Sequence, residues 1–376
     1  MKKNVINFIK KETVLVIAWI LAIISAFFIP PDREYLDYID FRTLGILWSL
    51  MVIMSGLKNR GFFARIGTAL LKKTHRLWQL ILTLVLLCFF SSMLITNDVA
   101  LITFVPFSMF LLESCDRTNL LIPTVALQTI AANLGSMLTP IGNPQNLYLY
   151  GLTDLSFGAF MLHMLPYTLT TLVLLIISVF FIKGKSGQVT ISGNQLPDTQ
   201  RKKYPEILYG VLFLVALLVV FKAIPYYILC AIVLITCLIM DRKNLLKIDY
   251  ALLFTFVGFF IFTGNLGRVD AIREWLTGLV SGREVIIGIA ASQAISNVPA
   301  ALLLSGFTDN IKALIIGVNL GGLGTLIASM ASLISYKLLA HSHNELKGKY
   351  FLVFTGANII CLLLLMAEYF LLNSFA

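Results

Sequence analysis

The sequence predicts an all-α polytopic membrane protein made of two inverted-topology repeats, with about nine transmembrane helices, two re-entrant hairpins and two broken helices. Three observations lead there. The chain of 376 residues is 58% hydrophobic and only 13% charged, about half the charged fraction of an ordinary globular protein. Apolar stretches recur from residue 13 to residue 372 and leave no segment long enough for a water-soluble domain. Two distant segments, each interrupted by polar residues, also align with one another. A soluble enzyme, a disordered protein and a secreted disulfide scaffold are excluded.

A helix needs about 20 residues to cross the hydrocarbon core. Apolar runs of about that length, bounded by charge, Pro or Gly, give crossings at 13–30, 41–57, 119–150, 155–182, 205–221, 223–240, 250–266, 309–340 and 350–372, with 119–150 and 309–340 broken in the middle. Two further stretches, 77–113 and 285–307, carry the polar clusters "ITND" and "ISNVP" at mid-length and read as re-entrant hairpins. The expected organisation is a cytoplasmic tail over 1–12, a first repeat over 13–182, a cytoplasmic linker over 183–204, a connecting span over 205–222 and a second repeat over 223–376. The first span has the basic flank of a signal peptide but no small-residue cleavage site before "PPDRE", so it is expected to be retained.

The net charge of +10 does not point to nucleic acid, because the 29 Lys and Arg sit in short clusters between apolar runs, where they act as orientation signals. With the N-terminus cytoplasmic, 22 of the 29 fall on the inside and the C-terminus is external, as expected of a multi-pass cell (inner or plasma) membrane protein. Reading 77–95 and 98–113 as two full crossings gives the same sidedness, so charge leaves both versions open. The five cysteines show no pairing spacing and no CxxC, implying neither disulfide nor metal.

The repeat favours the hairpin version. "NLGSMLTPIGNPQNLYLY" (133–150) and "NLGGLGTLIASMASLISY" (319–336) align without a gap and share seven of 18 positions. "ITNDVALITFVPF" lies over "ISNVPAALLLSGF", and "IDFRTL" over "IDYALL", in the same order. Five crossings separate equivalent points, so the second half is inverted. Inverted repeats with discontinuous helices are a signature of secondary transporters.

Backbone that leaves helical geometry inside a membrane is tolerated only where protein, water or ligand satisfies it. The hairpin tips and the two breaks therefore mark the candidate site: Thr96, Asn97, Asp98, Asn133, Thr139, Gly142, Asn143 and Asn146 in the first half, and Ser296, Asn297, Asn319, Thr325 and Ser329 in the second. Helix N-termini at the breaks can face an anion. Freed carbonyls with Asn97 and Asn297 can hold Na⁺ as coupling ion, and H⁺ is the alternative. No Lys or Arg lies among the breaks, so a small anionic substrate is expected to rest on dipoles, amide donors and a bound cation. Asp98 is the acidic residue placed at the midplane, either as a cap for N–H groups near Leu101 or as a coupling group.

The hairpin "SSMLITNDVALITFVPF", the segment "NLGSMLTPIGNPQNL" and the pair "SQAISNVPAALL" and "GVNLGGLGTLIASMASLIS" resemble the ion transporter superfamily of divalent-anion:sodium symporters, citrate-transporter-like permeases, arsenite permeases and a sodium/proton antiporter branch. The similarity spans about 39–372. It implies a homodimer in the lipid bilayer whose hairpins and broken helices move as an elevator past a static scaffold. In the dicarboxylate branch both tips read Ser-Asn-Thr and bind carboxylate and sodium. Here Asp98 and Val298 replace the third position, which looks more like the arsenite-permease side. The resemblance implies a cation- or proton-coupled anion transporter, with a sodium/proton antiporter using Asp98 as the alternative. No enzyme is expected, because no catalytic set is placed within reach. His341 and His343 read as a solvated loop rather than a metal site, and His163 and Glu368 as polar tips near outer span ends.

Overall fold

The computed structural model describes residues 12–71, 74–185, 187 and 203–374, all of them in helices or their connections. All but the last residue of the expected tail over 1–12 and most of the 183–204 linker lie outside the described residues. The first two expected spans appear as the helices α1 (Thr13–Phe28) and α2 (Phe41–Asn59), of which α2 is long and apolar enough to cross a membrane, followed by the short amphipathic α3 (Phe62–Leu71). The first hairpin is α4 (Leu77–Ile95) and α5 (Asn97–Ser114), and the first broken span is α6 (Leu121–Gly135) and α7 (Pro144–Gly151). Then come α8 (Phe157–Phe181), α9 (Lys203–Val220), α10 (Tyr226–Met240), α11 (Tyr250–Gly267) and the amphipathic α12 (Asp270–Val280). The second hairpin is α13 (Glu284–Ile295) and α14 (Asn297–Leu304), the second broken span α15 (Ile311–Leu320) and α16 (Met330–Ser342), and the chain closes with α17 (Lys347–Ser374).

Local sequence explains where these helices start. In "IDF" and "IDY", Asp40 and Asp249 hold nearly the same backbone (φ −76° and −82°) and accept from the N–H of Thr43 and Leu252, capping α2 and α11. Asn143 caps α7 by accepting from Asn146 N–H, with Pro144 at the first helical position, where its missing donor costs nothing. Asn310 caps α15 in the same way through Ala313.

The helices sort into two groups. One holds α1 packed on α11, with α2 packed on α9 and α10. The other holds both hairpins and both broken spans, with α8 and α17 against them. The groups meet where α11 touches α14 and α2 touches α7. Large apolar side chains stand exposed along the outer helices, among them Phe27, Leu162, Phe181, Ile207, Leu352 and Ile360. In water that surface would aggregate, whereas acyl chains cover it without cost.

The hairpins differ in length. The arms of the first, 19 and 18 residues, are each long and apolar enough to cross a membrane at about 1.5 Å per residue. The arms of the second are 12 and 8 residues. Both tips nevertheless reach one buried polar cluster, so the additional length of the first hairpin lies at its base.

Candidate functional site

Each hairpin turns on a non-glycine residue in left-handed backbone: Thr96 at φ 61°, ψ 146° and Ser296 at φ 72°, ψ 153°. That region is almost reserved for glycine and costs about 1–3 kcal/mol, so the surroundings must impose it. They do so by paired bonds. The N–H of Asn97 donates to the Gly142 carbonyl at 3.1 Å and the N–H of Asn297 to the Ala328 carbonyl at 2.9 Å. Each tip is thereby tied to the break of its own half.

Asparagines then tie the halves to each other. Asn133 donates to Ser332 Oγ (3.2 Å) and the Gly322 carbonyl (3.5 Å), and its side-chain oxygen accepts from Ser329 (3.0 Å) and Asn97 (3.2 Å). Asn319 donates to the Asn146 side-chain oxygen (2.6 Å) and accepts from Asn143 (3.2 Å). In the alignment Asn133 pairs with Asn319, Asn143 with Ser329 and Asn146 with Ser332, so the bonds of one break are answered by those of the other. All five of Asn97, Asn133, Asn143, Asn146 and Asn319 are at most 5% exposed. At that depth an unpaired amide costs about 1–3 kcal/mol, which makes the network a strong constraint on geometry.

Of the other expected residues, Thr139 is buried and its hydroxyl donates to the Met93 carbonyl. Gly142 allows close approach, since a Cβ there would stand 2.0 Å from the Ser136 carbonyl oxygen. Ser296 reaches the Ala328 carbonyl at 3.4 Å. Asn297 is buried, yet among the described residues no protein group hydrogen-bonds its side chain. Thr325 does not join the cluster: it is exposed, and its N–H donates to Gln293 Oε1. Asp98 does not cap α5. Thr96 holds the N-cap position without a side-chain bond, Asp98 sits in the first turn, and its own N–H donates to Asn97 Oδ1.

A cavity of about 280 Å³ opens between the two helix groups. Thr96, Asp98 and Asn143 line one wall; Ser55, Lys58 and Asn59 of α2, with Lys247 and Asp249 before α11, line the other. No Lys or Arg lies among the breaks themselves, yet folding brings two lysines from distant segments into the cavity beside the first tip. A second cavity of about 300 Å³ runs from Asp249 past Met330 to Val298 and Pro299 of the second tip. Gln293 is a further residue that sequence reasoning missed: it donates to the carbonyls of Gly321 (3.0 Å) and Leu323 (2.9 Å) and holds Thr325 N–H, satisfying three backbone groups of the second break. The one hint in the sequence is its place one turn before the tip.

The family model described as citrate transporter matches residues 5–313. The chain belongs to the citrate transporter family. It is 32% identical over 89% of its length to an uncharacterized transporter of Methanocaldococcus jannaschii, 91% of which is covered. It is 31% identical over 83% of its length to the inner membrane protein YbiR of Escherichia coli, 84% of which is covered. A silicon efflux transporter of Oryza sativa subsp. japonica shares 34% identity over 139 residues, 37% of this chain and 28% of that one. The protein is a multi-pass membrane transporter of this family and not an enzyme.

Outside the spans, two titrating groups are tied across the fold. The Arg268 guanidinium, 2.6 Å from Asp32, holds that carboxyl below its usual value. The hydrogen bond from Glu113, at 2.7 Å, raises His343 above the ordinary imidazole value. His343 thus pairs with carboxylates, and no group of three or more metal-ligating side chains forms among the described residues.

Proposed function

We propose that this member of the citrate transporter family is a secondary active transporter for a small anion, coupled to Na⁺ or H⁺. The observation that carries this reading is the cavity between the two helix groups. It is lined on one side by the first hairpin tip and the first break, and on the other by α2 and the start of α11. The N-termini of α5, α7, α14 and α16 converge at the tips and breaks, where their dipoles favour an anion, while the carbonyls that end the preceding segments favour a cation. Asn297, buried and unbonded, supplies both a donor and an acceptor.

In this reading the hairpins and broken helices form the moving body, α1, α2, α9, α10 and α11 form the static one, and transport proceeds as an elevator in a homodimer of the cell membrane. The N-terminus is cytoplasmic and the C-terminus external. Na⁺ would rest on Asn97, Asn297 and neighbouring carbonyls.

A second reading, a sodium/proton antiporter, draws on Asp98: its carboxylate lines the cavity and accepts no hydrogen bond from the described residues. The similarity to a silicon efflux transporter adds neutral hydroxy acids to the candidate substrates. The test is thermal stabilisation of the purified protein by sulfate, phosphate, mono- to tricarboxylates, arsenite and silicic acid, with and without Na⁺, because a ligand of the folded state raises apparent stability. Uptake into proteoliposomes under imposed gradients completes it. Anion uptake that tracks a Na⁺ or H⁺ gradient, and loses that dependence in Asp98→Asn, supports symport. Sodium-driven proton movement with no anion carried overturns it in favour of antiport.

A further inference from the structure

Of the side chains that line the cavity, the cations come from one wall. Lys58 lies in the last turn of α2 and Lys247 two residues before the Asp249 cap of α11. Their ends of the molecule are pinned together: Ser55 and Asn59 both donate to Asn244 Oδ1, at 2.7 and 3.2 Å, and Arg60 pairs with Asp241 at 2.9 Å. That pinning fixes where the two lysine backbones stand. Lys58 itself is half-buried and makes no hydrogen bond or ion pair among the described residues. The nearby carboxylates are engaged elsewhere or lie across the cavity: Asp241 is held by Arg60, Asp249 caps α11 through the Leu252 N–H, and Asp98 stands on the opposite wall.

A lysine that is partly removed from water and left without a counter-ion loses hydration and gains nothing for it from the protein. A solvated position was open to it within a residue or two, since Asn59 next to it is exposed. The other wall presents Thr96 and Asn143, neutral groups, with Asp98 as its charge. When Asp98 carries a proton or faces a bound cation, the two lysines outnumber the one remaining carboxylate of the lining, Asp249, and the balance of charge in the cavity is positive.

We propose that Lys58, assisted by Lys247, is the anion-recruiting element of the scaffold, met by the substrate only on the membrane face to which this cavity opens. This rests on the anion-transport reading. It narrows the substrate to one that carries negative charge at neutral pH, as sulfate or a carboxylate does, and disfavours uncharged hydroxy acids such as arsenous or silicic acid. It also makes the site asymmetric: the moving hairpin tip carries the substrate, while the lysines stay with α2 and α11 and attract it on one side only. By the placement of basic residues that face is cytoplasmic.

The experiment uses full-length protein in proteoliposomes, sorted by orientation, with whichever of sulfate, phosphate and the mono- to tricarboxylates most raises the Tm of the wild type. Lys58→Gln should raise KM by about tenfold from the face bearing the lysines, the loss of one charge-assisted contact. KM from the opposite face should stay within about twofold, and Lys58→Arg should restore the one-sided value. Lys247→Gln should act in the same direction more weakly, since that side chain is solvated. An equal rise at both faces, no rise at either, or a wild type that responds to arsenite or silicic acid but to no anion overturns the proposal. Wild-type protein that carries no solute in any arm instead overturns the anion-transport reading beneath it. If Lys58→Gln does not fold, the one-sided effect of Lys247→Gln and the retained asymmetry of Lys58→Arg decide.

Discussion

Thr96 and Ser296 hold the same left-handed backbone, and each precedes an asparagine whose N–H meets a carbonyl of its own half's break. Beyond that shared turn the two tips diverge. Asn97 commits both ends of its amide to the protein, to Asn133 and to the N–H of Asp98, whereas Asn297 commits neither among the described residues. Asp98 adds a charge to the first tip where Val298 adds methyl groups to the second. The breaks differ likewise: the first is fastened by Thr139 to the Met93 carbonyl, the second by Gln293, the residue aligned with Met93, reaching three backbone groups. A shared backbone frame has thus been kept while the side chains divide the work. The first tip is built into the structure, and the second keeps its amide unbonded among the described residues.

Close packing of hairpin against broken span should give the largest effects. Gly135 and Gly321 are aligned, and each faces the first arm of its hairpin within two turns of the tip. A Cβ at Gly135 would stand 2.3 Å from the Phe89 carbonyl oxygen, one at Gly321 2.5 Å from Ser292 Oγ and 2.8 Å from its Cβ. Backbone cannot swing aside as a hydroxyl can. Gly135→Ala should therefore cost about 3 kcal/mol and Gly321→Ala somewhat less, both within the range of overpacked cores. Adding Ser292→Ala should recover part of the loss at Gly321, and adding Ser92→Ala little at Gly135. Denaturation of the four variants in detergent decides it. Equal recovery in both halves would mean the two contacts are alike after all.

Gln293→Leu comes next. It strips partners from two carbonyls and one N–H, and because Gln293 is only half-buried, water can replace some of them. A loss of about 2 kcal/mol is expected, against about 1 kcal/mol for Thr139→Val, which removes a single bond. A Gln293→Leu variant no less stable than Thr139→Val would show that the second break holds its shape without that side chain.

Much of this architecture is legible in the sequence because periodicity and spacing are properties of the chain. Apolar runs locate the helices, and "NLG…T…Y" in both halves locates Asn133 and Asn319, each of which the structure bonds to the break of the other half. The rest needs three dimensions. Lys58 and Lys247 lie 189 positions apart and share a cavity only because Asn244 and Arg60 bind the ends of α2 and α10 together. Thr325 aligns with Thr139 yet faces outward, because Gln293 captures its N–H and turns the loop. Of the two roles left open for Asp98, the cap of N–H groups near Leu101 is not formed; Asp98 sits inside the first turn, and its own N–H is satisfied by Asn97 Oδ1.

The tips themselves supply a sharper comparison at smaller energy. Asn97→Ala leaves the Asp98 N–H without its partner and Asn133 with one donor fewer, so stability should fall by about 1–2 kcal/mol along with uptake. Asn297→Ala breaks no side-chain bond among the described residues and should leave Tm within a degree or two of the wild type, while uptake falls far more than stability. Paired Tm and uptake measurements on the two variants test the division directly. Asn297→Ala transporting at the wild-type rate with unchanged ion dependence would remove the second tip from the site.

The smallest expected effect lies at the rim, where Glu113 at the end of α5 reaches His343 beyond α16 and so joins the first half to the second outside the membrane. The hydrogen bond to Glu113 raises the His343 pKa above its ordinary value. A raised native pKa means the folded state binds the proton more tightly than the unfolded chain does. The stabilisation is therefore complete below the unfolded imidazole pKa of about 6.5 and is lost as the pH climbs through the raised native value. With side chains 19% and 40% exposed, solvent screening holds the pair to no more than about 1 kcal/mol. Glu113→Gln should accordingly lower Tm most near pH 6 and approach the wild type near pH 9. A Tm difference that stays constant across that interval would mean the two halves are not joined by a titrating pair here.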